Sequence, residues 1–554
     1  MDDRNTRGGR PVTPSRSVSA NAGRARILSR QSTTDWSWLI VSACLYTLAA
    51  PPYEWDFAGW IALTPFFLAL IGKSPRSAFF YGLAYGVLFC LGLAHWVYFA
   101  VVSFFPLSAP LGLFCTLLSY LFFIASYVAC AAAGVSLLTR NPASPLCWLG
   151  VPALWVSTEF ARSTLFSGFS WELLGYTQYR RLGLIQISDL TGVYGVSFLL
   201  AFSGYVAAEV VLFLVSRLSP LTFSFSSSAA RHRNFPWRAC ASLIGMLVLT
   251  LSYGAFHLQQ PSQTTAPPLT IALVHLDTPN TERWQRSRRA QTLLRYLSTT
   301  REHLNGVQPD LIVWPEFALG FYLDKELALR AQLSRLTNSV QAPLLVGAPR
   351  MEESSHGARY YNSAYFLLPN GEIHDTYEKI RLLPFAEYRP LGVLPTWLPH
   401  NAEYPTEFTP GARSTIFPLS SASFGVTICY EVTYSSLARQ LARGGARFLV
   451  NLSNETWLAQ GGAAAPAQHF SMAVFRAVET RRPLARVAAF GVTGIIDPSG
   501  HIVQTSQEKE GVLIGTVIPR SEQTVYTRLG DWFAISCIVL AGVALIRAGR
   551  WRSH

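Results

Sequence analysis

The stretch Phe424-Gly-Val-Thr-Ile-Cys-Tyr-Glu431 decides how this chain is read. Gly425–Tyr430 has the composition of a buried β-strand, and it ends on a cysteine and a tyrosine with a glutamate directly after. Of the eight cysteines, Cys429 alone lies outside the apolar segments and the short stretches joining them. It has no evident disulfide partner in its own domain, which argues against a structural bridge. Two readings remain, a small hydrophobe in a core or a nucleophile at a strand end. The surrounding sequence separates them.

The 554 residues are 50% apolar and 14% charged, too long and too apolar for one soluble domain. Apolar runs dominate from Trp36 to Leu258, several of them near the roughly 20 residues a helix needs to cross a bilayer. Spans are expected at 37–52, 56–72, 77–102, 109–139, 146–164, 194–216 and 239–258, with an eighth at 530–547. If they alternate, one side collects the seven arginines before Trp36, Lys73, Arg76, Arg140, Arg217, Arg231, Arg233, Arg238, Arg547, Arg550 and Arg552. That side is cytoplasmic by the positive-inside rule, with Arg180 and Arg181 the exceptions on the other face. The arginine-rich start and Ala49-Ala50 also suit a cleaved signal peptide, but the apolar run that follows at once favours an uncleaved helical hairpin. The expected organisation is a disordered basic tail (1–35), a membrane domain of about seven helices (36–258), an outward soluble domain (259–528), and a last helix with a basic end (529–554). The net charge of +13 flanks lipid-embedded segments, so no nucleic-acid partner is expected; the lipid bilayer is the partner.

Between Leu269 and Val517 short β-rich runs alternate with amphipathic helical stretches. Strands are expected at Leu269–Leu276, Leu311–Trp314, Leu344–Gly347, Ala364–Leu368, Gly425–Tyr430, Phe448–Asn451, Ala485–Ala489 and Leu513–Val517. Helices are expected at 283–304, 324–340, 434–443 and 466–481. The fold class is therefore a polytopic α-helical membrane domain plus an α/β soluble domain. Metal-ligand clusters, repeats and glycine-rich phosphate loops are not evident, so no cofactor or metal is expected.

Two more polar residues stand where a core would not want them. Glu316 ends Leu311-Ile-Val-Trp-Pro-Glu316, and Lys379 is one of four lysines in a chain that otherwise uses arginine. With Cys429 they supply what acyl transfer through sulfur requires. A thiol with a reference pKa near ~8.5 needs a base, which a carboxylate provides, and the tetrahedral intermediate needs a cation and N–H donors at its oxygen.

Trp314-Pro-Glu316, Lys379 with Leu383-Pro-Phe-Ala-Glu387, and Cys429-Tyr-Glu431 resemble the Glu-Lys-Cys triad of the nitrilase superfamily, an α-β-β-α sandwich fold. With the membrane frame, Gly168-Phe-Ser-Trp171, Gly175-Tyr-Thr-Gln178, Trp284, Asn451-Leu-Ser-Asn454, Gln468-His469 and Arg476-Ala-Val-Glu479, nearly the whole chain is similar to the apolipoprotein N-acyltransferase family. The resemblance implies Glu316 as general base and acid, Lys379 as oxyanion stabiliser and Cys429 as nucleophile. It implies Glu387 orienting Lys379, Tyr430 lending its backbone N–H or packing beside the acyl group, Glu431 bracing the nucleophile turn, and Trp284 lining a lipid-side entrance, with a core or membrane-interface tryptophan the alternative. It further implies a phospholipid acyl donor, a diacylglyceryl apolipoprotein acceptor, a bacterial inner membrane with the catalytic domain in the periplasm, and a monomer. Leu391–Leu398 is the candidate lid. Asp277, Ala386, Glu455 and Ala489 depart from the family pattern, and Ala386 places a methyl group where a special backbone angle is expected. A membrane-tethered nitrilase-type hydrolase and a non-catalytic membrane module are the competing readings.

Overall fold

The computed structural model describes residues 16–550 except 106, 141–143, 167, 219–233, 261–265, 280–281, 283, 356 and 390–406. The candidate lid Leu391–Leu398 lies outside the described residues. Helix α1 (Arg16–Ala49) stops before Pro51-Pro52, as a chain losing two backbone N–H donors must. It begins at Arg16, inside the tail expected to be disordered. Between Pro14 and Pro51 that tail has no proline and a single glycine, so nothing in it breaks a helix.

Helical segments occur at all the expected spans, with two broken. The 56–72 span is a short turn at Asp56–Trp60 followed by α2 (Thr64–Leu70). The 77–102 span divides into α3 (Pro75–Leu93) and α4 (Trp96–Phe104). Next come α5 (Ala109–Leu138), α6 (Pro145–Thr164), α7 (Val193–Leu218) and α8 (Trp237–Gln259). Among the described residues α3, α5, α7, α8 and the C-terminal Trp532–Arg550 are long and apolar enough to cross a membrane. Helix α6 has the length but carries Glu159 and Arg162, both buried. Arg180 and Arg181, the two arginines that fall outside the expected alternation, pair with Glu54 (2.9 Å) and Asp56 (2.5 Å).

Helices α3 and α5 approach closely because Gly82 and Gly86 sit four residues apart on one face of α3. A Cβ at Gly86 would lie 2.5 Å from Ala125 Cα, and one at Gly82 would lie 2.6 Å from Ala132 Cβ. The Ala125 end of this contact falls on a π-helical turn, Leu121–Ala125.

The soluble domain consists of two six-stranded sheets, ordered β12-β1-β2-β3-β4-β5 and β11-β10-β9-β8-β7-β6. The strands are β1 (Leu269–Leu276), β2 (Leu311–Val313), β3 (Leu344–Ser354), β4 (Gly357–Leu367), β5 (Ile373–Glu378), β6 (Ile416–Leu419), β7 (Ala422–Ile428), β8 (Phe448–Ser453), β9 (Leu484–Ala488), β10 (Thr493–Ile496), β11 (Ile502–Ser506) and β12 (Glu510–Val517). Each sheet has a parallel centre, β1-β2-β3 and β7-β8-β9, flanked by antiparallel strands. Ile271, Leu273, Val313 and Phe366 of the first sheet meet Phe424, Val426, Phe448 and Val450 of the second in a core between them. The first sheet's other face is covered by α9 (Arg289–His303) and α10 (Leu327–Val340).

The second sheet's outer face is covered by α11 (Ser435–Arg443) and α12 (Ala464–Thr480), giving an α-β-β-α sandwich. Helix α12 is buried along nearly its whole length because the membrane helices cover its far side, and one continuous core joins them. Gln468 pins this junction. Its Oε1 accepts from Trp96 Nε1 (3.1 Å) and Trp171 Nε1 (2.9 Å), and its Nε2 donates to Pro51 O (3.2 Å) and Leu93 O (2.9 Å). About two turns further, Arg476 donates to Thr433 O, Tyr176 Oη and Glu479 Oε1, while Glu479 accepts from the backbone of Val193 at the head of α7.

The glycine contact gives a direct check. Gly86→Leu is expected to force α3 off α5 and destabilise the protein by about 1–3 kcal/mol, read as a lower thermal midpoint in detergent. Gly542→Leu, on C-terminal helix α13 (Trp532–Arg550) with no atom within 4 Å of its Cβ position, is the control expected to leave the midpoint unchanged.

Candidate active site

Glu316 comes two residues after Trp314 at the end of β2, and the chain turns sharply behind it, with Phe317 at φ +48°. Gly347 on neighbouring β3 makes room, because a Cβ there would stand 2.3 Å from Pro315 O and 2.7 Å from Glu316 Cα. Lys379 follows β5, its backbone N–H held by Asn362 O at 2.8 Å. Cys429 follows β7 at φ +50°, a left-handed conformation that costs a non-glycine residue about 1–3 kcal/mol. Two of the three residues thus hang from the first sheet and the third from the second.

They converge in a buried cluster. Lys379 Nζ donates to Glu316 Oε1 (3.3 Å) and Glu387 Oε1 (2.9 Å), and Asn362 Nδ2 donates to the same two oxygens at 2.7 and 2.8 Å. Glu387 Oε2 accepts from Leu383 N at 2.7 Å, closing the turn that carries the lysine. The Cys429 thiol is 5% exposed, with Sγ 4.0 Å from Asn454 O. Asn362 was not anticipated from the sequence, although an asparagine inside the buried run Tyr361–Leu367 is a polar group that must find partners.

Glu431 does more than brace its own turn. Its Oε2 accepts from Ile428 N (2.7 Å) at the end of β7, while Oε1 accepts from Ile380 N (2.7 Å) and Arg381 N (2.9 Å) beyond β5. Tyr377 Oη donates to both oxygens at 2.8 Å. One carboxylate therefore ties the lysine turn to the nucleophile turn. Tyr430 faces the membrane domain, donating to Gly168 O (3.3 Å) and stacking on Trp171 at 6.4 Å. Trp284 is buried against Phe317, at 5.3 Å, with Leu382 and Phe408 completing the group beside the acid.

Burial sets the protonation states. It pushes the Glu316 carboxyl above the usual carboxylate range, the Lys379 charge opposing the shift. Burial, reinforced by the Glu316 charge, also pushes the Cys429 thiol well up, which favours its protonated form. Burial alone would lower Lys379, but Glu316 and Glu387 outweigh it and hold the ammonium charged.

The departures from the family pattern find distinct explanations. The strained angle sits at Phe385 (φ +67°) rather than Ala386, so the methyl group at 386 meets no backbone penalty. Glu455 is buried between His469 Nδ1 and Arg486 Nη2, with space left by Gly491, where a Cβ would stand 2.0 Å from its Oε2. Arg486 also bonds Asn451, whose Nδ2 donates to Thr427 O (3.1 Å) and Cys429 O (3.4 Å), so this cluster lies directly behind the nucleophile. Ala489 donates its backbone N–H to Ser453 O at 3.0 Å. Nothing in the structure explains Asp277 beyond its backbone bond to Lys509 O. Among the described residues no group of His, Cys, Asp and Glu could hold a metal ion.

Glu431→Ala leaves three backbone N–H groups and the Tyr377 hydroxyl without their acceptor. At about 1–3 kcal/mol per buried orphaned group, a loss of about 3 kcal/mol or more is expected. Thermal unfolding and faster amide exchange at Ile380 and Arg381 would both report it.

The apolipoprotein N-acyltransferase N-terminal domain model matches residues 42–206, and the carbon-nitrogen hydrolase model matches residues 270–525. The chain is 34% identical over 526 residues to the apolipoprotein N-acyltransferase of Geobacter metallireducens, covering 94% of this chain and 95% of that one. It is 30% identical over 523 residues to the apolipoprotein N-acyltransferase of Methylococcus capsulatus, covering 92% and 96%. Among solved structures it is similar to the carbon-nitrogen hydrolase of Helicobacter pylori G27, at 16% identity and a TM-score of 0.36 over 48% of this chain and 94% of that one.

Proposed function

The chain belongs to the family of apolipoprotein N-acyltransferases, and we propose that Glu316, Lys379 and Cys429 carry its reaction. It is a bacterial membrane acyltransferase of the carbon-nitrogen hydrolase superfamily, moving an acyl chain from a phospholipid through a cysteine thioester to the α-amine of a lipoprotein. The observation that carries the residue assignment is the meeting of a buried carboxylate, ammonium and thiol at a turn docked on the membrane domain.

In the first half-reaction Glu316 takes the Cys429 proton, the sulfur attacks the phospholipid ester, and Glu316 returns the proton to the departing lysophospholipid oxygen. Lys379 Nζ, helped by the Tyr430 backbone N–H, holds the oxyanion, each such donor being worth about 2.7–4 kcal/mol in a typical hydrolase. In the second half-reaction the free α-amine of a diacylglyceryl-cysteine apolipoprotein attacks the thioester and Glu316 takes its proton; the acyl C–S bond then breaks, leaving the amide, and Glu316 returns the proton to the Cys429 sulfur. Glu387 and Asn362 keep Lys379 and Glu316 in place. Glu431 holds the two turns in register, and Trp284 with Phe317 walls the acid side of the cleft.

The membrane domain has a physical reason. Each methylene of the donor chain drawn into water costs roughly 0.8 kcal/mol, so the thiol must meet the ester where the tail stays among apolar helices. The arginine distribution supports a catalytic domain (259–528) on the periplasmic face of the inner membrane, with the basic tail and chain end in the cytoplasm. A monomer is the proposed unit. Transfer is favoured over hydrolysis because relatives named apolipoprotein N-acyltransferase match through the membrane domain as well as the catalytic one.

Incubation with a phospholipid carrying an alkyne-tagged acyl chain is expected to label the protein at Cys429 through a hydroxylamine-sensitive bond, and Cys429→Ala is expected to remain unlabelled. Adding a diacylglyceryl lipopeptide should move the label to its α-amine; release into water without an acceptor would support a hydrolase instead. Labelling is also expected to fall at acid pH as Glu316 protonates, above the usual carboxylate range. Asn362→Ala removes a donor to that carboxylate, so the acid limb should move to higher pH.

A further inference from the structure

The turn carrying the catalytic lysine, Lys379-Ile-Arg-Leu-Leu-Pro-Phe-Ala-Glu387, is partly embedded in the membrane domain. Ile380 and Leu383 pack against the core formed with the membrane helices, and the Phe385 ring meets Phe123 of α5 at 6.2 Å. Between these apolar anchors Arg381 is exposed. Its backbone N–H is fixed by Glu431, two residues from the nucleophile. Its guanidinium lies over the Tyr434 ring, 5.5 Å from the centroid, and Tyr434 Oη donates to Gly168 O (3.1 Å), just beyond the end of α6. Among the described residues the neighbouring acids are engaged elsewhere, Glu378 with Arg350, Glu387 with Lys379, and Glu431 with backbone donors, and no ion pair involves Arg381. Arg381 is thus an exposed charge two residues from Lys379, flanked by apolar groups that enter the membrane domain, stacked on Tyr434 and with no acidic partner among the described residues.

We infer that Arg381 binds the phosphodiester of the acyl donor and so sets the donor's ester over Cys429. This rests on the reading of a phospholipid as donor. A guanidinium presents paired N–H donors that match two phosphate oxygens, and stacking on Tyr434 fixes its plane without using those donors. Arg381 is a positioning residue for the first half-reaction only, because the amine acceptor reacts after the phosphate-bearing product has left.

The test measures acyl-enzyme formation on the full-length protein in detergent, from phosphatidyl donors and from diacylglycerol, which has the same ester without the phosphate. Arg381→Gln is expected to raise KM for the phospholipid about 10-fold or more, the scale of a lost hydrogen-bonded charge contact, with kcat nearly unchanged. The variant should match wild type on diacylglycerol, Arg381→Lys should recover part of the loss, and transfer from preformed acyl-Cys429 to a lipopeptide should be unaltered. Equal loss on both donors would overturn the inference, since that is the signature of a disturbed Tyr434 turn, and so would no loss on either. Protection of wild type by inorganic phosphate, with phospholipid KM unchanged in Arg381→Gln, would also overturn it by making free phosphate the ligand. Absence of acyl-enzyme in wild type with both donors would instead remove the donor reading on which the inference stands.

Discussion

The proposed active site depends on a carboxylate, Glu431, that the proposed mechanism leaves out of the chemistry. Glu316 and Lys379 extend from one sheet and Cys429 from the other, and sheets packed only through side chains have no reason to hold catalytic distances to a fraction of an ångström. Glu431 supplies that reason by accepting backbone N–H groups from beyond β5 and from the end of β7 at once. Around it three turns adopt left-handed backbone at Phe317, Phe385 and Cys429, each costing about 1–3 kcal/mol. Strain of that kind persists only where surrounding bonds over-determine the conformation, and the bonds to Glu431, Glu387 and Asn362 do so here.

The same turns are held from below by the membrane domain. In the sandwich the outer helix layer on the second sheet is not a surface but the middle of a larger core, with α12 between strands and membrane helices. Gln468 makes four hydrogen bonds to the membrane side, with two tryptophan indoles and two backbone carbonyls, and Trp171 reaches from that side to both Tyr430 and His469. The residue after the nucleophile is therefore registered against the bilayer-spanning part of the chain. In the proposed reaction, whose donor tail should stay in lipid, that register would place the thiol at the ester.

Much of this arrangement is legible in the sequence, because it is written in contrasts. Long apolar runs, a lone thiol after a buried strand, an acid after another, and a lysine in an arginine-rich chain each depart from their surroundings. Strands with both faces buried, such as β1 and β8, were clear for the same reason. Four strands, β5, β6, β10 and β11, escaped the sequence reading. β5 and β11 are of mixed exposure, and β6 and β10 are only four residues long, so neither alternation nor a sustained apolar run marks them. Asn362 and the double role of Glu431 escaped because Asn362 acts between strands of one sheet and Glu431 between the two sheets, joining residues 25 to 54 positions apart in the chain. The helix break at Ala94-His95 escaped because apolar character continues across it.

The most direct test of the central claim is the position of a bound donor. A cryo-EM structure of the Cys429→Ser protein in a phospholipid nanodisc should show a lipid ester carbonyl beside residue 429 and Lys379, its acyl tail running past Phe385 and Phe123 among the membrane helices. A lipid tail lying in the aqueous face of the sandwich, or an ester carbonyl remote from both turns with the protein intact, would contradict the account.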